Sequence, residues 1–218
     1  VLGELPHASK EDLDDALNSS LEGFNKWRSE TPLNRQSILE KAAKILEREF
    51  DKNSENLTRE MGKPLAEAKI EMQVAIDLLR WYGEEGKRVY GRIIPSRIPN
   101  MEHEARKVPV GPVLAFVAWN FPATNVMRKV AGALAAGCSI TIKPSEETPA
   151  TAIAIGKALM EAGLPAGVLN IVFGVPSEVS EHLLASPIPR KLSFTGSVPV
   201  GIHLQKLAAQ NLIRCTME

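Results

Sequence analysis

The sequence predicts an α/β fold, a five-stranded parallel, doubly wound sheet preceded by an all-helical segment. Between residues 110 and 218, five short apolar runs alternate with four helical stretches joined by short connections. That alternation is the pattern of a parallel sheet with crossover helices. Before residue 90, apolar residues recur only at helical spacing. The 218 residues, 44% hydrophobic and 24% charged, are enough for a core without staples.

Residues 1–89 form the helical part. Ser9, with Asp12 three positions on, starts a helix in capping-box style, and Leu13, Ala16, Leu17, Leu21, Phe24 and Trp27 make its stripe. A second helix follows Pro32, with Ile38, Ala42, Ile45, Leu46 and Phe50 on one face. A shorter one carries Leu57 and Met61 and ends at Gly62, a residue suited to a C-terminal cap. After Pro64, the stripe Leu65, Ala68, Met72, Ala75, Ile76, Leu79 and Tyr82 marks a long amphipathic helix.

Residues 90–109 break the pattern. Pro95, Pro99 and Pro109 exclude a helix, and the pattern fits a linker or an extended edge hairpin equally. Residues 110–218 are the sheet. The expected strands are 113–118, 139–142, 168–172, 191–194 and 212–217, and the expected helices 124–136, 148–162, 177–185 and 198–209. The first strand is apolar throughout, as in a strand buried on both faces.

Charge narrows the function. With 26 basic and 26 acidic side chains, there is no excess to meet nucleic-acid phosphates. No apolar run approaches the roughly 18–20 residues that span a bilayer. Two cysteines make no disulfide framework, so a reducing compartment and a cytoplasmic protein are expected. The chain begins at Val1-Leu2 and not at Met, and stops at Glu218, so it is read as part of a longer product.

In open parallel sheets, ligands gather beyond the carboxyl ends of the strands. There lie Trp119-Asn120-Phe121-Pro122, Lys143-Pro144-Ser145-Glu146, Phe173-Gly174, Thr195-Gly196-Ser197 and Glu218. They read either as one cleft or as ordinary turn and cap residues. The G-x-G-x-x-G fingerprint is absent. Gly196-Ser197, with Gly201 one turn on, could offer backbone N–H groups to a phosphate or simply cap a helix. Glu146 could accept from both hydroxyls of a ribose beside Lys143, and would then disfavour a 2′-phosphate; a surface ion pair is the alternative. Asn120 is an oxyanion donor or an N-cap. Arg128, in an otherwise apolar helix, either forks onto a substrate carboxylate or snorkels to solvent. Cys138 and Cys215 make poor nucleophiles, and the four histidines show no metal-ligand spacing with them, so no metal is expected.

Five stretches occur together and in order: Trp119-Asn120-Phe121-Pro122, the run Ala-Leu-Ala-Ala-Gly-Cys-Ser at 133–139, Lys143-Pro-Ser-Glu-Glu-Thr-Pro149, Gly163-Leu-Pro-Ala-Gly-Val-Leu-Asn170 and Ser193-Phe-Thr-Gly-Ser197. With them the chain closely resembles the NAD(P)-dependent aldehyde dehydrogenases, end to end, and most of all the succinate-semialdehyde dehydrogenase branch. The resemblance implies a Rossmann-like cofactor-binding half of an enzyme that oxidises an aldehyde to an acid through a cysteine thioester. It implies Asn120 as oxyanion donor and Glu218 as general base, at the first residue of the family's Glu-Leu-Gly-Gly motif. Lys143 and Glu146 become ribose ligands and Gly196-Ser197 the pyrophosphate turn, with Trp119, Pro144, Ser145 and Gly174 in the cofactor site.

Glu146 favours NAD over NADP. Arg128 stands where that branch holds the distal carboxylate of succinate semialdehyde, with glutarate or oxoglutarate semialdehyde next. Residues 90–109 correspond to the family's oligomerisation hairpin, which implies a homo-oligomer, dimer or tetramer, for the full-length enzyme. The nucleophilic cysteine lies downstream in the family, so residues 1–218 are expected to be inactive alone. The rival expectation is a non-catalytic dinucleotide-binding piece that works as it stands; acyl transfer to coenzyme A is disfavoured by Glu218. Ala118 in place of a common proline and Val198-Pro199 in place of Thr-Glu are the departures.

Overall fold

Helix starts follow from local chemistry. In the computed structural model, which describes residues 3–218, Ser9 and Asp12 close a full capping box at the start of α1 (Lys10–Trp27). The Asp12 N–H donates to Ser9 Oγ at 3.2 Å and the Ser9 N–H to Asp12 Oδ2 at 2.8 Å. Val1 and Leu2, with which the sequence begins, lie outside the described residues. Thr31 caps α2 (Pro32–Arg48), accepting from the Asn34 N–H at 3.1 Å. Gly62, at φ +82°, ends α3 (Phe50–Met61), and α4 (Leu65–Gly86) follows Pro64.

Next come two exposed strands, β1 (Arg92–Pro95) and β2 (Glu102–Ala105), paired antiparallel as a hairpin. The sheet region runs β3 (Val113–Val117), α5 (Pro122–Ala135), β4 (Ile140–Lys143), α6 (Pro149–Glu161), β5 (Leu169–Ile171), α7 (Pro176–Ala185), β6 (Lys191–Thr195), α8 (Val198–Ala209) and β7 (Arg214–Met217). Each of the four helices carries a proline in its first two positions, where a missing N–H costs nothing. α5 therefore begins at Pro122, two residues before the expected Thr124. β7 begins at Arg214 and not at Leu212, because Leu212 sits at φ +51° and turns the chain out of α8.

The five strands are parallel in the order β5-β4-β3-β6-β7. The first strand of the set is central, and the chain builds outward on one side before returning to build on the other. Helices therefore cover both faces. Along β3, Val113, Ala115 and Val117 face one core, shared with α2–α6, while Leu114 and Phe116 face the other, shared with α1, α7 and α8. The helical segment is part of this packing. Trp27 is fully buried, and its Nε1–H donates to the Leu134 carbonyl at 2.8 Å. At Gly23, α1 passes so close to the turn before β5 that a Cβ would stand 2.2 Å from the Gly167 carbonyl carbon. Among the described residues, no helix is long and apolar enough to cross a membrane.

Candidate active site

The strand order reverses at β3, between β4 and β6, so loops diverge there and leave a crevice at the carboxyl ends. A cavity of about 560 Å³ occupies it, lined by Trp119, Lys143, Ser145, Glu146, Thr195, Gly196 and Ser197 among others. The residues singled out after three different strands thus share one wall. Gly174 joins them through its N–H, which donates to Glu146 Oε1 at 3.0 Å. Pro144 does not line the cavity; its carbonyl accepts from Lys143 Nζ at 3.3 Å.

In the common dinucleotide fold, the first strand-to-helix turn receives the pyrophosphate. Here that position is filled. α5 has no side-chain cap of its own, and the Glu71 carboxylate accepts from its Ala123 and Thr124 N–H groups at 2.8 and 3.2 Å. Glu60 does the same for α6, accepting from the Ala150 N–H at 2.7 Å. An anion at either helix start would meet a carboxylate. α7 and α8 differ: neither Val175 nor Ser197 at their N-cap positions makes a side-chain cap bond, and both helix starts border the cavity. Gly196 has to be glycine, since a Cβ there would stand 2.5 Å from the Phe194 ring.

Lys143 and Glu146 are no loose surface pair. The lysine is buried at the end of β4, with Nζ 2.6 Å from Glu146 Oε1 and 2.8 Å from Oε2. Burial pushes the Glu146 carboxyl up, but the Lys143 and Gly174 hydrogen bonds outweigh it, holding the pKa below the ordinary glutamate value. A fixed, ionised carboxylate beside a buried ammonium, next to an uncapped helix start, fits a ribose and a diphosphate.

Asn120 lies outside that cavity. It sits on the loop between β3 and α5, and Phe121, not Asn120, holds the N-cap position, so Asn120 does not cap α5. A second groove of about 390 Å³ runs beside this loop, with Ile70, Val74, Phe121, Asn125 and Arg128 on its walls. Glu218 contacts residues of both walls. It accepts from Thr195 Oγ1, which lines the cavity, at 3.0 Å, from Arg128 Nη1, which lines the groove, at 3.4 Å, and from Lys129 Nζ at 3.5 Å. The Thr195 bond and the two cations hold its pKa below the ordinary value, against a smaller opposing effect of burial.

The family profile for aldehyde dehydrogenases matches residues 1–218. The chain belongs to the aldehyde dehydrogenase family. It is 49% identical over 217 residues to the 4-(hydroxymethyl)benzenesulfonate dehydrogenase TsaD1 of Comamonas testosteroni, matching 100% of this chain and 45% of that protein. It is 37% identical to the succinate-semialdehyde dehydrogenase [NADP(+)] GabD of Escherichia coli, again over 100% of this chain and 45% of the relative. The solved succinate-semialdehyde dehydrogenase from Burkholderia pseudomallei superposes with a TM-score of 0.97 at 39% identity, over 99% of this chain and 45% of that one. The chain thus spans about half the length of the relatives it matches.

Within this aldehyde dehydrogenase chain, four residues near the site escape sequence reading: Lys63, Glu71, Asn125 and Lys129. Lys129 is partly buried in α5, and burial drives its pKa down despite the facing Glu218. Its only signal was a second cation beside Arg128 in an apolar helix. Cys138 is buried, and Cys215 is partly buried with a thiol pKa raised by burial, so neither is poised as a nucleophile.

Proposed function

We propose that this chain is the cofactor-binding half of an NAD-dependent enzyme that oxidises a short aldehyde carrying an acidic group, succinate semialdehyde first, then glutarate or oxoglutarate semialdehyde. The observation that carries the reading is Arg128, a half-exposed cation on the wall of the groove beside the Asn120 loop, with Nη1 3.4 Å from Glu218 Oε1. In this reading Arg128 holds the distal carboxylate of the substrate and thereby fixes the aldehyde end near Asn120. The Asn120 amide donates to the oxygen that gains charge when the aldehyde is attacked. Glu218 takes the proton from the water that releases the acid. NAD, when bound, supplies the hydride acceptor. Lys143, Glu146 and the start of α8 hold it, and Glu146 repels a 2′-phosphate, which supports NAD over NADP. The nucleophile is not one of the two cysteines of residues 1–218, so these residues alone are inactive. The hairpin β1–β2 supports a homo-oligomer.

A second reading has one observation in its favour. Ile70, Val74 and Phe121 make the groove walls apolar, which suits an aromatic aldehyde with an acidic substituent, and the relative at 49% identity is named for a benzenesulfonate. The complete enzyme separates the two when kcat/KM is measured for succinate semialdehyde, 4-formylbenzenesulfonate and uncharged butanal. With Arg128→Leu, the preferred anionic substrate is expected to lose on the order of 10- to 100-fold, the scale of one hydrogen bond between charged groups, while butanal is spared. Equal handling of the anionic aldehydes by variant and wild type sinks the Arg128 assignment.

A further inference from the structure

We propose that the buried Lys63–Glu71 pair, together with Asn125, is a positioning device that aims the Asn120 amide at the developing oxyanion. The proposal rests on Asn120 being the oxyanion donor.

Lys63 and Glu71 are both almost fully buried and hydrogen-bonded to each other. Such a pair is weak evidence of a stability role, since a well-packed apolar replacement of similar volume is often as stable or more so. What the pair touches is informative. One Glu71 oxygen takes the Ala123 and Thr124 N–H groups, the free donors just beyond Asn120. The other faces Lys63. Lys63 Nζ lies 3.4 Å from the Asn120 carbonyl oxygen and 4.3 Å from the centroid of the Phe121 ring. The backbone from 120 to 124 is therefore held from α4 and the turn before it, and nothing local replaces that hold, because α5 has no side-chain cap of its own. Asn125, itself buried, donates from Nδ2 to Asn120 Oδ1 at 3.4 Å. With its oxygen engaged, the Asn120 amide has its N–H groups left to donate. Backbone and amide are thus fixed by separate contacts, both aimed at one residue.

The test is a set of double-mutant cycles in the complete enzyme, with Asn125→Leu and with the paired apolar replacement Lys63→Met/Glu71→Leu. Each is made alone and on an Asn120→Ala background, with Tm and the KM for NAD recorded beside kcat. The paired replacement guards against an unfolded single variant with one buried charge left alone. Each positioning variant is expected to lose on the order of 10- to 100-fold in kcat, the scale of a misplaced catalytic group, with the KM for NAD within twofold. Asn125→Leu keeps its Tm, whereas the paired replacement, which leaves the Ala123 and Thr124 N–H groups without their acceptor, lowers it while the enzyme stays folded. On the Asn120→Ala background, the same changes are expected to add less than twofold, since residues acting through one group are not additive. Losses that multiply fully with Asn120→Ala, or variants with wild-type kcat, overturn the positioning role while leaving the Asn120 assignment standing. An Asn120→Ala loss under threefold instead overturns that assignment, and this proposal with it.

Discussion

In the proposed reading, the Asn120 amide does the electrostatic work of an oxyanion hole, and the loss of one such donor sets the expected scale. Asn120→Ala in the complete enzyme is expected to lower kcat by about 100- to 1,000-fold, read by steady-state NADH formation. Glu146 carries two linked expectations. Glu146→Gln removes the charge that a 2′-phosphate would meet, so the NADP-to-NAD ratio of kcat/KM should rise on the order of 10-fold or more. Its folded pKa lies below the ordinary value, so the stability it adds is complete above the unfolded-state pKa and is lost as pH falls through the folded one. Denaturant melts should therefore separate wild type from Glu146→Gln at pH 7, and the gap should start to close below the ordinary glutamate pKa and vanish only below the still lower folded one. Both residues were legible in sequence because they follow strands, where a parallel sheet collects its ligands. Lys63 and Glu71 were not, because their meaning lies in contacts to a loop about fifty residues downstream. One trace of Glu71 was available: it falls three residues after Ala68, on the buried stripe of α4, where a charge is out of place.

At the scale of elements, helix starts were the most readable features. The Ser9–Asp12 box and the prolines opening the later helices act within one turn, so sequence neighbours decide them. The segment from 90 to 109 was ambiguous between linker and hairpin because its strands have no buried face, and alternation leaves a trace only where one face is buried. Close approaches of elements were invisible too. Gly23 reads as a helix-weakening glycine, yet a Cβ there would collide with the backbone at Gly167. Gly23→Ala gains helix propensity but forces α1 off the sheet edge, and is expected to destabilise by about 1–3 kcal/mol, measured by denaturant unfolding.

At the scale of the whole molecule, two cores on opposite faces of one sheet are joined through the alternating side chains of β3. The hairpin stands apart from both. Its Ile93 is 74% exposed and Ile94 44%, an apolar surface on strands with free edges. If it joins subunits, Ile93→Ser/Ile94→Ser in the complete enzyme should lower the assembly mass measured by light scattering while the fold, read by circular dichroism, stays intact. An unchanged mass would remove the hairpin from the interface.

The sequence by itself determined the order of helices and strands, the parallel character of the sheet and the family, because periodicity, caps and turn residues act over a few positions and ordered motifs need no coordinates. Tertiary structure alone decided which helix starts around the crevice are closed by a carboxylate and which, at α7 and α8, are left without a side-chain cap. Every helix N-terminus carries the same dipole, and the distant carboxylates of Glu71 and Glu60 close α5 and α6 while α7 and α8 carry no side-chain cap.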